Sequence, residues 1–314
     1  VIENELREPK PGELRIRVLA TGVGLTDIAM RYGYYPYAPK IPFVPGYEIV
    51  GVVDKLGEGV SQFAVGDRVA ALIVYGGYAE YKYLGEEELV HVPSQLDPAE
   101  VVTLILNYTT AYQMLYRSAK VRMGDRVLIT GASGGVGTAL LQLGKLANLN
   151  MYGLASSKKH DIVTKLGGLP IDYKIQDFVK VILETELDGL EFVFDGVGGD
   201  YIGRGFRVLR NGGKLVEYGY PGYKAMLLGY AKLQLLHMLP NGKSGEFYGI
   251  TAQYKKDKQP FFDDIPELMK LLEEGKLKPI IAKKLPILDA AKANVLLESG
   301  SISGKIVLLA PELL

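Results

Sequence analysis

The stretch RVLITGASGGVG, Arg126 to Gly137, decides the fold. Val127, Leu128, Ile129 and Thr130 favour a strand and are nearly all apolar, as a buried parallel strand requires. Gly131 to Gly137 then turns the backbone. Behind it, Thr138 to Leu149 carries Leu140, Leu141, Leu143, Leu146 and Ala147 at helical spacing. In a strand, glycine turn and helix of this kind a pyrophosphate can rest on the helix N-terminus. Free N–H groups and the helix dipole meet its charge, and glycines allow close approach. Ala132-x-Gly134-x-x-Gly137 is the dinucleotide fingerprint with alanine for the first glycine. It predicts cofactor contacts at Ala132, Ser133, Gly134, Gly135, Val136 and Gly137; a plain strand–helix turn is the alternative.

Outward from this stretch, strands and helices alternate. Strands are predicted at Met151–Ala155, Ile171–Tyr173, Phe192–Asp195 and Leu215–Tyr218, with helices at Lys159–Leu166 and Phe178–Leu183. Such alternation implies a parallel sheet with right-handed crossovers. Tyr223 to Leu239 reads as a helical insertion and Phe247 to Tyr254 as a last strand. Upstream the pattern is different. Leu14, Ile16, Val18 and Ala20 alternate with other residues; a short strand follows at Ile49–Val53, Val65–Val69 enters another, Gly76–Tyr81 begins a further one, and Leu89–Val92 comes next. That is an all-β, barrel-like module. Ala99 to Leu115 is helical in character. The tail returns to short elements: a helix through Leu268, Leu271 and Leu272, a strand at Ile280–Leu285, a helix at Asp289–Leu297 and a strand at Ile306–Leu309. Assigning the tail to the first module makes the nucleotide domain an insertion, with residues 1–107 and 255–314 in one domain and 108–254 in the other. Val1 to Asn4 resembles mid-strand material, so residues ahead of Val1 are expected.

Composition narrows the function classes. Apolar residues make up 48% of the 314, ample for two cores. Lys+Arg and Asp+Glu are both 36, which gives no global electrostatic case for nucleic acid or an anionic membrane. No cysteine is present, which excludes disulfides, thiolate metal sites and a cysteine nucleophile, and fits a reducing, cytoplasmic compartment. The longest apolar stretch, Ala225 to Leu239, is too short for a membrane span and carries Lys232, Gln234 and His237.

The end of the second strand of the alternating region selects the cofactor. NAD sites commonly place an acid there for the ribose 2′-OH. Here the residues are Ser156, Ser157, Lys158, Lys159 and His160, with hydroxyls and ammoniums suited to a 2′-phosphate. Capping of a helix by Ser156 is the alternative, a role compatible with phosphate binding at that helix start. The expected cofactor is NADPH.

With these residues in place, the chain resembles the zinc-independent branch of the medium-chain dehydrogenase/reductase superfamily, which includes quinone oxidoreductases, zeta-crystallin and VAT-1 proteins. The matching segments include Pro45–Glu48, Gly66–Val69, Gly77–Glu80, Asn107–Tyr112, Gly131–Gly137, Ile171–Tyr173 and Gly304–Val307. The resemblance implies an α/β fold in which a Rossmann doubly wound parallel sheet is inserted into a GroES-like, partly open β-barrel catalytic domain. By resemblance Thr110 approaches the nicotinamide, Ser156, Lys159 and Tyr173 surround the 2′-phosphate, and Val197 and Gly219 line the nucleotide groove. Ser157 joins that group from the composition of its loop. Tyr47 stands where zinc alcohol dehydrogenases carry histidine, so no metal site is expected. Glu48 is expected to be a buried, paired structural acid. Gly24 stands where quinone reductases often carry asparagine.

A zinc-free site of this kind suits hydride delivery to quinones or α,β-unsaturated carbonyls, whose conjugation spreads the arriving charge onto oxygen. Tyr35, in the aromatic loop Tyr32–Tyr37, and Tyr47 are the side-chain candidates for the catalytic cleft. His91, His160 and His237 are scattered and read as structural, and Asp195 reads as a turn residue. Two other functions stay open: a non-catalytic nucleotide-binding adaptor of the VAT-1 type, and a zinc-free alcohol dehydrogenase. A homodimer through the sheet edge at Phe247–Tyr254 is expected.

Overall fold

In the computed structural model, which describes all residues but 220–222, 239 and 241 and only the backbone at 223–226, the chain forms two compact units. One comprises Val1–Gly33, Tyr37–Leu106 and Ile265–Leu314; the other comprises Tyr34–Pro36 and Asn107–Asp264. Asp264 is held in the second unit by Gln113 and by a two-pronged contact from Arg117.

Strand β1 (Glu13–Val23) shows the alternation expected of it: Leu14, Ile16 and Val18 are buried while Arg15 and Arg17 stay half-exposed. From Val18 onward every residue is buried, because β1 is flanked on both edges by other strands. Helix α1 (Leu25–Arg31) follows, its start closed by Asp27 Oδ2, which accepts the Gly24 amide at 2.8 Å. Strands β2 (Glu48–Leu56), β3 (Arg68–Leu72), β4 (Tyr81–Gly85) and β5 (Val90–His91) complete the first run. Val65 to Asp67 is a turn and not the start of a strand: Gly66 has φ +95° and the Asp67 carboxylate accepts the Ala64 amide. Val1 to Asn4 is exposed and forms no strand.

Asp97 opens a long helical run, accepting the Ala99 amide at 2.8 Å, with Pro98 in the first turn. The run is α2 (Pro98–Thr103), a π-helical segment at Leu104–Tyr108, α3 (Thr109–Tyr112) and a second π-helical segment at Gln113–Ala119. Strand β6 (Arg126–Ile129) then leads into α4 (Gly135–Leu146), which starts three residues before the first predicted position and ends before Asn148, a residue at φ +54°. The alternation continues with β7 (Asn150–Ala155), α5 (His160–Lys165), β8 (Gly168–Asp172), α6 (Phe178–Thr185), β9 (Leu190–Asp195), α7 (Asp200–Val208), β10 (Leu209–Glu217), α8 (Tyr223–His237) and β11 (Ser244–Phe247). The expected helix to Leu239 therefore stops at His237, and Leu239 itself lies outside the described residues.

The expected strand Phe247–Tyr254 is corrected. It ends at Phe247, and α9 (Ile250–Lys256) follows, burying Ile250, Thr251 and Tyr254 at helical spacing. Helix α7 escaped prediction because Gly203 and Gly205 lower helix propensity. A Cβ on Gly205 would lie 2.7 Å from Leu215, so glycine is what lets this helix lie on its sheet. Helix α10 (Gln259–Glu273), β12 (Ile281–Pro286), α11 (Ala290–Glu298) and β13 (Lys305–Leu309) close the chain.

The first unit's sheet runs β12-β13-β1-β2-β3-β5, with β4 also paired to β1. Its core gathers Leu14, Ile16, Ile49, Val69, Ile306 and Leu308 from both chain ends. The second unit's sheet runs β11-β10-β9-β6-β7-β8 and is parallel throughout. The strands after β6 go one way and β9 onward go the other, so the order reverses between β6 and β9. In open parallel sheets that reversal is where ligands bind, beyond the strands' carboxyl ends.

Glu48 is the paired acid anticipated from sequence. It and Lys305 are 0% and 4% exposed, with Lys305 Nζ 2.6 Å from Glu48 Oε1, though off the direction of a good hydrogen bond. Burial pushes the carboxyl above its usual range, and Lys305 only partly opposes this. A Cβ at Gly22 would strike both side chains. Lys305→Met, which leaves a buried carboxyl without its cation, is expected to cost about 3 kcal/mol in urea unfolding. Glu48→Gln/Lys305→Met should cost clearly less than the two single changes summed; additive losses would show that the pair is not coupled.

Candidate functional site

The site grows from the end of β6. Gly131 takes φ +62°, and Gly134 caps α4 in an extended conformation with no side chain to occupy the helix start. The first bond closing the helix runs from Thr138 N to Gly134 O at 2.9 Å, so the amides of Gly135, Val136 and Gly137 have no carbonyl of their own helix to bond. A Cβ at Gly137 would lie 2.7 Å from Ala132 Cα, so this glycine packs the helix against the turn. Ala132 and Ser133 are buried beneath it. The result is an open helix N-terminus able to take an anion. Thr110, on α3, is 6% exposed, and its buried Oγ1 has no hydrogen-bond partner among the described residues. Helix α3 packs against α4 in the same unit.

The end of β7 carries the basic loop. Ser156 is extended ahead of a single helical turn, Ser157–Lys159, but its side chain makes no capping bond, which removes the capping role considered for it. Asp172, at the end of β8, is committed: its oxygens accept the amides of Lys174 at 2.9 Å and Ser157 at 3.0 Å. Those amides hold its carboxyl below the usual range. Lys159 is pushed down by burial and then by the charge of Lys174. Two ammoniums thus face one region beside Ser156, Ser157 and the 44% exposed Tyr173. Lys174 was missed in the sequence reading; its place beside Tyr173, just past a strand, was the available signal. His160 turns inward, Nε2 3.2 Å from Ala155 O.

At the ends of β9 and β10, Asp195 is the turn residue expected. It accepts the Thr130 hydroxyl at 2.5 Å and the amides of Val197 and Gly198 at 3.0 and 3.2 Å. Thr130 Oγ1 in turn accepts the Gly196 amide. Val197 is 42% exposed. A Cβ at Gly219 would strike the Gly196 carbonyl, so the two loops close on each other only because residue 219 is glycine. Glu217 pairs across from Asp195 in register. Burial first, and the Asp195 charge second, push its carboxyl up to about 10.

One sheet end therefore gathers Thr110, Ala132 to Gly137, Ser156, Ser157, Lys159, Tyr173, Val197 and Gly219 within a single unit. Tyr35 belongs to that unit too, half-buried with its hydroxyl 3.0 Å from Thr251 Oγ1. Tyr47 belongs to the other unit, fully buried, its carbonyl accepting the amides of Ile73 and Val74.

With this geometry in place, comparison with known proteins is informative. Residues 10–94 match the alcohol dehydrogenase GroES-like domain, and residues 168–308 match the zinc-binding dehydrogenase family. The synaptic vesicle membrane protein VAT-1 homolog of Mus musculus is 31% identical over 96% of this chain and 77% of that protein. Against the Danio rerio homolog, also 31% identical, the chain spans 64% of the relative's length. The quinone oxidoreductase of Homo sapiens is 28% identical over 96% of this chain and 90% of that protein. The chain belongs to the VAT-1 and quinone oxidoreductase branch of the medium-chain dehydrogenase/reductase superfamily.

Among solved structures of this superfamily, CurK enoyl reductase has a TM-score of 0.86 at 26% identity, covering 98% of this chain and 94% of that one. Mycobacterial Rv1454c, solved in complex with NADPH, has a TM-score of 0.87 at 25% identity over the same shares. The zinc in the matching family's description finds no donor set here. The sequence has no cysteine, the described residues hold no group of three His, Asp or Glu suited to a metal, and Glu48 is engaged by Lys305. Among the described residues no helix is long and apolar enough to cross a membrane.

The Glu217 shift has a consequence for stability. Its folded pKa, about 10, lies above the unfolded value of about 4.3, so its contribution is complete in acid and is lost as pH rises toward 10. Glu217→Gln keeps a donor for Asp195 and removes the ionisation. It should match the parent at pH 4 and exceed it by about 3 kcal/mol at pH 7 in urea unfolding. Parallel stability curves from pH 4 to 9 would contradict this.

Proposed function

We propose that this chain is an NADPH-dependent, zinc-independent reductase that transfers hydride to quinones or α,β-unsaturated carbonyls. The observation that carries the reading is the open start of α4 at the sheet's reversal point, in the unit that also carries the basic loop with Lys159 and Lys174. In this reading the amides of Gly135 to Gly137 bind the pyrophosphate, and Ser156, Ser157, Lys159 and Tyr173 bind the 2′-phosphate. Val197 and Gly219 form the groove wall, and the unpartnered Thr110 hydroxyl holds the nicotinamide end. When bound, the reduced nicotinamide supplies a hydride; the acceptor also takes a proton, from water or a tyrosine. Tyr35 is the side chain we assign to the substrate; Tyr47, the second candidate from sequence, is fully buried within its own unit. Tyr35 has its hydroxyl oriented by Thr251, which suits it to donate to an oxygen that gains charge. The quinone oxidoreductase and enoyl reductase relatives, and the NADPH complex of a structural neighbour, support this choice of acceptor and cofactor.

A second reading, a nucleotide-binding adaptor, draws on the VAT-1 relatives and on α8, where Leu228 and Leu235 are 73% and 67% exposed. We further read the chain as a cytoplasmic homodimer. Strand β11 pairs only with β10 among the described residues and leaves a half-exposed edge. Light scattering should then give twice the chain mass of 34.4 kDa; a monomer at micromolar concentration would remove the dimer.

The reductase is tested by NADPH oxidation with 1,4-benzoquinone and with a short enone. Turnover of at least one is expected, and NADPH binding without turnover across a broad acceptor panel would favour the adaptor. Lys159→Ala should weaken NADPH about tenfold in calorimetry and leave NADH within twofold. Equal losses for both would place Lys159 away from the 2′-phosphate.

A further inference from the structure

Asn107 is a buried amide that neither the fingerprint nor the strand ends accounts for. It lies in the π-helical segment Leu104–Tyr108, within the same unit as the glycine turn. A π-helical turn carries one residue more than an α-helical turn and re-aims the side chains on it. Asn107 is 5% exposed. Its surroundings indicate what the amide can serve. A Cβ at Gly135 would run directly into Asn107 Nδ2, so the amide lies against the first residue of the twelve-residue helix α4. At that spot the helix presents N–H groups with no intrahelical partner, and the amide NH2 adds two more donors to them. Asn107 and Thr110, whose hydroxyl has no partner among the described residues, stand three positions apart on this run. Gly135 serves two purposes in this arrangement: it leaves the helix start open and makes room for the amide.

Resting on the NADPH reading above, we propose that Asn107 is a cofactor-binding residue whose amide donates to the pyrophosphate held at the start of α4. A neutral donor there adds directional bonds to the helix field without adding a charge that would hold the anion equally well in any orientation.

Calorimetry on the full chain tests this. The parent protein must first bind NADPH; if it does not, the NADPH reading fails, and this inference fails with it. Given binding, Asn107→Ala should weaken NADPH about tenfold. It should weaken 2′-phospho-ADP-ribose, which keeps the diphosphate and lacks nicotinamide, by the same factor. Adenosine 2′-monophosphate, which lacks the diphosphate, should be unchanged. Asn107→Asp, of equal size but negatively charged, should weaken the two diphosphates further than alanine does, and carries the test if the alanine variant does not fold. Unchanged NADPH affinity in a folded variant overturns the proposal. So does a loss confined to NADPH, which would move Asn107 to the nicotinamide, or an equal loss for adenosine 2′-monophosphate, which would mark general damage.

Discussion

The buried hydrogen bond from Thr130 to Asp195, 2.5 Å long, joins the two strand ends between which the order of the parallel sheet reverses. β6 and β9 are adjacent, but the chain leaves them in opposite directions. The crevice beyond their ends exists only if the following loops are held apart and in place. Thr130 uses its hydroxyl twice, donating to Asp195 and accepting from Gly196, while Asp195 takes the next two amides. A turn that could otherwise rearrange is fixed by side chains that water does not reach. Helix α4 then starts from a defined position, and the groove wall at Val197 and Gly219 follows from the same anchor.

Charge is handled differently at the two ends of this chemistry. Where the protein needs structure, acids are given partners: Glu48 has Lys305, Asp264 has Arg117 and Gln113, and Asp172 has two backbone amides. Where it needs a ligand, Lys159 and Lys174 lie close enough for each charge to be felt by the other. The Thr110 hydroxyl is likewise left without a partner among the described residues. A buried network satisfied within the protein rigidifies it, and one left open creates a demand that a ligand can meet. Glu217 stands between these cases, kept neutral first by burial and then by its neighbour Asp195.

Much of the fold was legible because it is written in local periods. The alternation of β1, the apolar strands β6 and β9, the helix α4 and the tail elements all follow from residue patterns shorter than fifteen positions. The strand expected at Phe247–Tyr254 shows the limit. Phe247, Tyr248, Ile250 and Tyr254 are strand formers, but Gly249 breaks the run and the next buried residues fall one helical turn apart. Propensity there lost to the face that could be buried. Helix α7 was illegible for the opposite reason, since Gly205 serves packing against Leu215 and Val193 and not the helix itself.

The sequence by itself determined the superfamily, the inserted parallel sheet, the glycine turn and the basic loop after β7, because each is carried by neighbours along the chain. The absence of cysteine likewise needed no coordinates. Tertiary structure alone decided which polar groups are already engaged. Asp172 closes on Ser157 across fifteen residues, Lys305 reaches Glu48 from the far end of the chain, and Asn107 meets Gly135 from another helix. Those partnerships depend on how separate elements pack, and no local period encodes them.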